Sequence, residues 1–355
     1  MNRGQSPNYL IYGTGALGSV LGGFLQKIGR SVAYVGRGEH FLAIQKKGMR
    51  ITGIWGDHFI SAEEIVALYG SRPLSQPRAF PIILLCVKSK DTEEASCLAA
   101  PLLEKDGIMV SIQNGLDNWE TIAHSVGEDR TVGARVIFGA EIPVPGVARV
   151  TVNADDVLLG EPFGTVNRFL LQSLQRDLTS SGIPARLVSK DDIWAAIWGK
   201  VIYNCALNPL GAILEVPYGK LGENEETRKI IKGVIREIFD VMHAKGVRSH
   251  CKDADEYYRF LMERQLPPTV GHRASMLQDI TIGRRTEIDA LNGAISRYAQ
   301  ELGIDTPYND LLTSLIKFKE KPENQGLAMP DSLEISPLRT YEEGKKAFSS
   351  FSEHN

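Results

Sequence analysis

The chain has 355 residues, 43% of them apolar and 23% charged, with a formal net charge of −3. That length is enough for two ordinary domains, and that composition is globular. The slight acidic balance gives no electrostatic case for nucleic-acid or membrane-surface binding, and no apolar run reaches membrane-spanning length.

The first predicted element is a buried strand from Tyr9 to Tyr12. Gly13-Thr14-Gly15-Ala16-Leu17-Gly18 follows, with glycines at G-x-G-x-x-G spacing, and an apolar helical pattern opens at once. The glycines allow a tight turn, close approach of backbone to a pyrophosphate, and close packing of helix on strand. The helix start offers free N–H groups and a partial positive charge to phosphates. A second strand, Val32 to Val35, completes one βαβ unit, so Gly13 to Gly18 are candidate dinucleotide contacts. The end of that strand commonly reads the adenosine ribose, with an acid for NAD or an arginine for NADP. Arg37 stands directly after it and favours NADP(H); Glu39, two residues on, is the alternative contact to the ribose.

Glu39 to Lys47 reads as a short helix, and Met49 to Ile60 as strand and turn around Gly53 and Gly56. Pro81 to Val87 is continuously apolar, as a central parallel strand covered on both faces should be. Asp91 to Leu103 reads as a helix with Asp91 as N-cap. Ile108 to Ile112 is another buried strand, ending at Gln113-Asn114-Gly115. Lys88 and Asn114 follow strands directly, where ligands bind in open parallel sheets. Thr131 to Gly160 reads as further strands, with Pro143, Pro145 and Gly146 marking a hairpin or loop, and Asn167 to Ser180 as a helix. Past residues 188–192 helical periodicity dominates to about 320.

Two stretches of the helical half carry more polar chemistry than packing requires. Lys200, Asn204 and Asn208 are four apart, hence on one helix face among apolar neighbours, and polar groups there need partners. Pro209 should end or kink this helix. In the second stretch, Gly283 separates two helical pieces and Thr286 caps the later one. Glu287 then falls in the first turn, where the dipole favours an anion, and Ile288, Leu291 and Ile295 form the core stripe. Read alone, Glu287 is a helix-start carboxylate.

The glycine loop, Arg37, Lys88, Gln113-Asn114-Gly115, the Lys200/Asn204/Asn208 ladder and the run Ser275-Met-Leu-Gln-Asp-Ile-Thr-Ile-Gly-Arg-Arg-Thr-Glu287-Ile-Asp together resemble the ketopantoate reductases (2-dehydropantoate 2-reductases) over roughly residues 8–320. The resemblance implies an α/β Rossmann-type NADP domain (8–189) and an all-α, 6-phosphogluconate-dehydrogenase-like domain (190–322), with a polar tail (323–355) behind them. It implies that Lys200 is the general acid and Glu287 its polar partner, and that Asn114, Asn204, Asn208 and Ser275 hold the substrate. Gly13, Thr14, Gly15, Ala16, Leu17, Gly18, Arg37, Lys88, Asn114 and Glu287 would contact NADP(H). Where many relatives have a further substrate-binding asparagine after Pro217, this chain has Tyr218.

The expected reaction is NADPH-dependent reduction of ketopantoate. The alternatives are another 2-oxo or 3-oxo acid, a dehydrogenase working mainly in the oxidative direction, or an NADP(H) redox sensor without turnover. The four cysteines (Cys86, Cys97, Cys205, Cys251) lack metal-ligand spacing and read as free thiols in a reducing compartment. The polar N-terminus lacks a signal h-region. The expectation is a cytoplasmic enzyme of small-molecule substrates, possible as a homodimer, with no metal, nucleic-acid or membrane partner.

Overall fold

A computed structural model describes residues 9–69, 80–321 and 324. The expected polar tail from 323 lies outside the described residues apart from Asn324. The chain runs β1 (Tyr9–Tyr12), α1 (Ala16–Lys27), β2 (Val32–Gly36), α2 (Gly38–Lys47), β3 (Met49–Gly53), β4 (His58–Ile60), β5 (Val66–Tyr69), β6 (Phe80–Leu85), α3 (Thr92–Ala99) and β7 (Leu103–Ser111). It continues through α4 (Asn118–Val126), β8 (Thr131–Arg135), β9 (Phe138–Val144), β10 (Val147–Asn153), β11 (Val157–Gly160), α5 (Arg168–Ser181) and β12 (Ala185–Leu187). Helices follow: α6 (Lys190–Leu214), α7 (Tyr218–Glu223), α8 (Glu225–Ala244), α9 (Ala254–Phe260), α10 (Ser275–Thr281), α11 (Asn292–Leu302) and α12 (Pro307–Lys319).

The main sheet has the order β12-β11-β8-β7-β6-β1-β2-β5 and is parallel except between β8 and β11. Strand side chains alternate between faces, and the central strands use both. Tyr9, Ile11, Ile82 and Leu84 point into one core layer, with α1 and α5; Leu10, Tyr12, Ile83 and Leu85 point into the other, with α3 and α4. This is why β1 and β6 read as unbroken apolar runs. A second sheet, β4-β3-β10-β9, packs over α1. The expected hairpin at Pro143–Gly146 is its β9–β10 turn. A Cβ at Gly23 would lie 2.3 Å from the Ile51 side chain, so the small residue lets α1 sit between the two sheets.

The expected Asp91–Leu103 helix is shorter. It stops at Ala99, passes through a 3-10 turn around Pro101, and Leu103 already belongs to β7.

In the helical half, α6 is the axis. It is apolar nearly all round, as a helix covered on every side must be, with α8, α10 and α12 against it and β8 and β11 at its N-terminal half. Its core residues join Leu116, Trp119 and Leu158 of the sheet domain in one cluster, so the two domains share packing. Contrary to the sequence expectation, Pro209 does not end this helix, which runs on to Leu214. Proline removes the N–H that Cys205 O would accept, and Asn292 Nδ2 of α11 donates to that carbonyl at 3.2 Å. A buried side chain supplies the lost bond.

Candidate active site

The strands β2, β1, β6, β7 and β8 point the same way and end along one edge of the sheet. The winding reverses direction between β1 and β6, and ligands bind outside such a switch point. The loops at this edge carry all the residues expected of the first domain.

Gly13 and Thr14 donate their N–H groups to Val35 O, which turns the chain out of β1. Gly13 has φ +107°, and a Cβ there would sit 2.7 Å from the Cys86–Val87 backbone. A Cβ on Gly18 would lie 2.2 Å from Gly13 O, whereas one on Gly15 would meet nothing within 4 Å. Gly15 therefore faces open space in front of α1. That helix has no side-chain cap, and its first internal N–H bond is from Ser19, leaving the first-turn N–H groups free. The Thr14 hydroxyl is turned inward onto Val35 O at 2.8 Å.

Arg37 is exposed at the end of β2 and lies 2.9 Å from Asp91 Oδ2. Asp91 does not cap α3 through its side chain as its position suggests; its carboxylate faces this guanidinium instead. His40, one turn on, accepts the Gly146 N–H on Nδ1 at 3.0 Å and meets Ser19 Oγ through Nε2 at 3.0 Å. Burial, aided by the charge of Arg284, lowers its pKa to about 4. It is a neutral ring that ties α1, α2 and the β9–β10 hairpin together.

Lys88, Asn114 and Glu287 come together across the cleft. Asn114 Nδ2 donates to Glu287 Oε2 at 3.1 Å, and the Ser89 N–H and hydroxyl approach Oε1 at 3.4 and 3.2 Å. Lys88 Nζ is 3.6 Å from Glu287 Oε2 and 2.9 Å from Asp279 Oδ2. Burial works to lower the Lys88 pKa, and the two carboxylates more than reverse it. Burial likewise raises that of Asp279 against the pull of Lys88. Gly115 makes the approach possible: Leu116 N donates to Ala290 O at 2.9 Å, and a Cβ at Gly115 would lie 2.5 Å from that oxygen.

Glu287 does not occupy the first turn of an α-helix as expected. It precedes a 3-10 turn, Ile288–Ala290, and α11 begins only at Asn292. Its charge is therefore met by groups across the cleft rather than by a helix dipole. Nor does Thr286 cap α11, whose first residue is six positions on; its hydroxyl accepts the Ile288 N–H at 3.1 Å beside the 3-10 turn, and it is itself held through its N–H and hydroxyl by Glu320. Ile288, Leu291 and Ile295 form the core stripe as read.

On α6, Lys200 donates to Val136 O, just past β8. Burial lowers its pKa to about 8, while Glu287 acts to raise it and Arg135 to lower it. Asn208 is buried: its Oδ1 accepts the Met276 N–H at 3.1 Å and its Nδ2 donates to Ser275 Oγ at 2.9 Å. It fixes the start of α10. Asn204, between the two, is half-buried and makes no side-chain hydrogen bond within the described residues. Tyr218 is buried between the rings of Tyr203 and His272, at centroid distances of 6.0 and 5.2 Å.

Sequence reading missed Asp279 and Ser89 as members of the cleft. Asp279 lies inside the quoted Ser275–Asp289 run, which was the available signal. Among the described residues no helix is long and apolar enough to cross a membrane, and no His, Cys, Asp or Glu group could hold a metal.

Comparison with known proteins places the chain. The family model for ketopantoate reductase PanE/ApbA matches residues 9–162, and that for its C-terminal domain matches 192–320. A 2-dehydropantoate 2-reductase of Aquifex aeolicus is 38% identical over 312 residues, covering 88% of this chain and 96% of the relative. One from Pyrococcus horikoshii is 32% identical, covering 87% and 96%. Among solved structures, a PanE/ApbA family ketopantoate reductase from Ralstonia eutropha has TM-score 0.76 at 29% identity, covering 90% of this chain and 100% of that one. A ternary complex of D-mandelate dehydrogenase with NADH and anilino(oxo)acetate has TM-score 0.78 at 26% identity, covering 88% and 98%. With the Rossmann-type sheet, the helical second domain and the matched residues agreeing, the chain belongs to the ketopantoate reductase family.

Proposed function

We propose that this protein reduces 2-dehydropantoate to pantoate with NADPH, in pantothenate synthesis, and that Lys200 is its general acid. The observation that carries the reading is a half-buried lysine with its pKa near 8 at the sheet edge, under the influence of Glu287, in a chain of this family. The glycine loop fits a dinucleotide: the Gly15 side is open, the α1 N-terminus is uncapped, and a Cβ at Gly13 or Gly18 would close the turn. Gly13 to Gly18 would hold the pyrophosphate through main-chain N–H groups, with Arg37 at the 2′-phosphate and Lys88, Asn114 and Glu287 toward the nicotinamide side. NADPH, when bound, supplies the hydride.

Negative charge then grows on the keto oxygen, and the Lys200 ammonium stabilises it and donates the proton. With a pKa of about 8 the lysine is charged at neutral pH yet acidic enough to give its proton up. Ser275 Oγ already accepts from Asn208, so its own O–H is free to donate to the substrate carboxylate. Asn208 acts mainly by holding Ser275, and the unengaged Asn204 amide is the direct contact. Glu287, held by Asn114 and Ser89, keeps the lysine charged. The division between a cofactor domain ending at 189 and a substrate domain from 190 is supported by the end of β12 at Leu187 and the start of α6 at Lys190. A cytoplasmic location, with a small 2-oxo acid as partner and a homodimer as assembly, completes the reading.

The experiment is NADPH oxidation at 340 nm with ketopantoate beside a panel of other 2-oxo acids. Rapid turnover of ketopantoate is expected. Activity only on another oxo acid would move the substrate and keep the mechanism; the buried Tyr218, in place of the family asparagine, is the observation that favours that second reading. NADPH binding with no turnover of any oxo acid would leave a redox sensor. Arg37→Ala should weaken NADPH binding about 10- to 150-fold, the loss of one charge-assisted hydrogen bond of roughly 1.5–3 kcal/mol, and NADH binding little. Equal losses for both cofactors would sink the 2′-phosphate role.

A further inference from the structure

The last residue of β8 is a buried arginine. The Arg135 side chain is 6% exposed. Its strand neighbours Val132 and Ala134, and Val136 just after it, point into the core layer of α1 and α5. Alternation turns Arg135 to the opposite face. Its cross-strand partner there is Leu158 of β11, which packs in the α6 cluster. A Cβ on Gly133, two residues back, would lie 2.6 Å from Trp119 of the same cluster. Arg135 therefore points toward α6.

Helix and strand keep step along this contact. A Cβ on Gly160, which pairs with Gly133, would lie 2.6 Å from Ile193. From Ile193 to Lys200 the helix rises about 10 Å, and from Gly133 to Val136 the strand advances about 10 Å. Lys200 accordingly reaches Val136 O. Arg135, one residue short of it, lies under the turn that leads to Lys200.

The guanidinium is only partly compensated. Nη2 donates to Asp155 Oδ2 at 2.7 Å, but Nε is buried with no acceptor among the described residues. Asp155 is itself 46% exposed, so solvent screens its half of the pair. Burial works to raise the Asp155 pKa and Arg135 more than reverses it, so the carboxylate stays charged. Other charged groups on the elements around α6 have partners of their own. Asp279 of α10 is held by Lys88, and Glu237 of α8 accepts the Tyr308 and Asn309 N–H groups at the start of α12. Lys220 of α7 pairs with Glu223, Lys319 of α12 pairs with Glu215, and β11 carries no charge. Glu287 and Arg135 are the charges that act on Lys200, with opposite sign.

We infer that Arg135, held by Asp155, is a positioning residue that acts through Lys200: it fixes a positive charge beneath α6 that disfavours the neighbouring ammonium and readies its proton for transfer. Its part in the reaction rests on Lys200 as the general acid. Glu287 opposes it from across the cleft, so the lysine is bracketed by one charge of each sign. Without the guanidinium, Glu287 and the Val136 carbonyl would hold the proton on an amine nearer the ordinary lysine range.

The test reads the Lys200 amine directly. Trace acetic anhydride acylates only the neutral amine, and mass spectrometry of the peptide bearing Lys200 gives its titration midpoint in the full chain. The kcat for ketopantoate is followed over the same pH range. Arg135→Met should raise the midpoint by about one pH unit. Arg135→Lys, which keeps the charge, should return it close to the wild-type value. Asp155→Asn removes the counter-charge and should lower the midpoint by up to about half a unit. The break in kcat should move with the midpoint each time. Circular dichroism establishes that each variant is folded. A midpoint unmoved by Arg135→Met overturns the inference; should that variant not fold, a midpoint that stays or rises in Asp155→Asn overturns it instead. A midpoint that moves while the break in kcat does not supports the inference about Arg135 and overturns the general-acid reading.

Discussion

Two lysines share the cleft and are treated in opposite ways. Lys88 comes from the sheet side and is held between Asp279 and Glu287, which raise its pKa despite burial. Lys200 comes from the helical side, touches a carbonyl rather than a carboxylate, and has its pKa pulled to about 8. The difference lies in the partners more than in depth: desolvation disfavours both ammonium groups, and only direct carboxylate contact reverses it. One lysine is thereby a fixed charge and the other a titrating group, although no local feature of the sequence separates Val87-Lys88-Ser89 from Gly199-Lys200-Val201 in that respect.

The largest effect that can break this comparison is Lys200→Ala, which should lower kcat about 10²–10⁴-fold with NADPH affinity nearly intact; a variant with near-normal turnover removes the general-acid assignment. Next is the pH profile. Lys200 must be protonated to act, so kcat for reduction should be level below about pH 8 and fall tenfold per pH unit above it. Glu287→Gln removes the influence that raises the Lys200 pKa, so this break should move to lower pH, and an unmoved break would separate Glu287 from the lysine. Asp279→Asn should have the smallest effect. It leaves Lys88 to Glu287 alone, draws on the carboxylate that supports Lys200, and should shift the same break slightly downward with less than about tenfold loss of kcat/KM. A purely structural Asp279 would change stability and leave the break in place.

What the sequence made legible follows from range. The glycine loop, the unbroken apolar runs of β1 and β6 and the four-residue ladder of α6 depend on neighbours within a few positions, and each stands where it was read. Asp279 and Lys88, 191 residues apart, meet only in the fold, so the charge balance of the cleft could not be counted from either segment. The same holds for Glu287: its capping context suggested a helix dipole, and its real partners are Asn114 and Ser89 on the other domain. That α6 continues past Pro209 was hidden for the same reason, because the amide that replaces its missing bond belongs to α11.

That replacement acts as a register pin. Cys205 is five residues past Lys200, and Asn292 is five residues past Glu287, so the Asn292–Cys205 bond fastens the two segments at matched points. Sliding α6 by one residue, about 1.5 Å, would strand a carbonyl in the core and displace Lys200 from Glu287 together. Misplacement of about 1 Å can lower a rate by about 10²-fold. A proline that looks like a flaw in the longest described helix thus helps fix its axial position, and the placement of Lys200 relative to Glu287 is supported from outside the cleft.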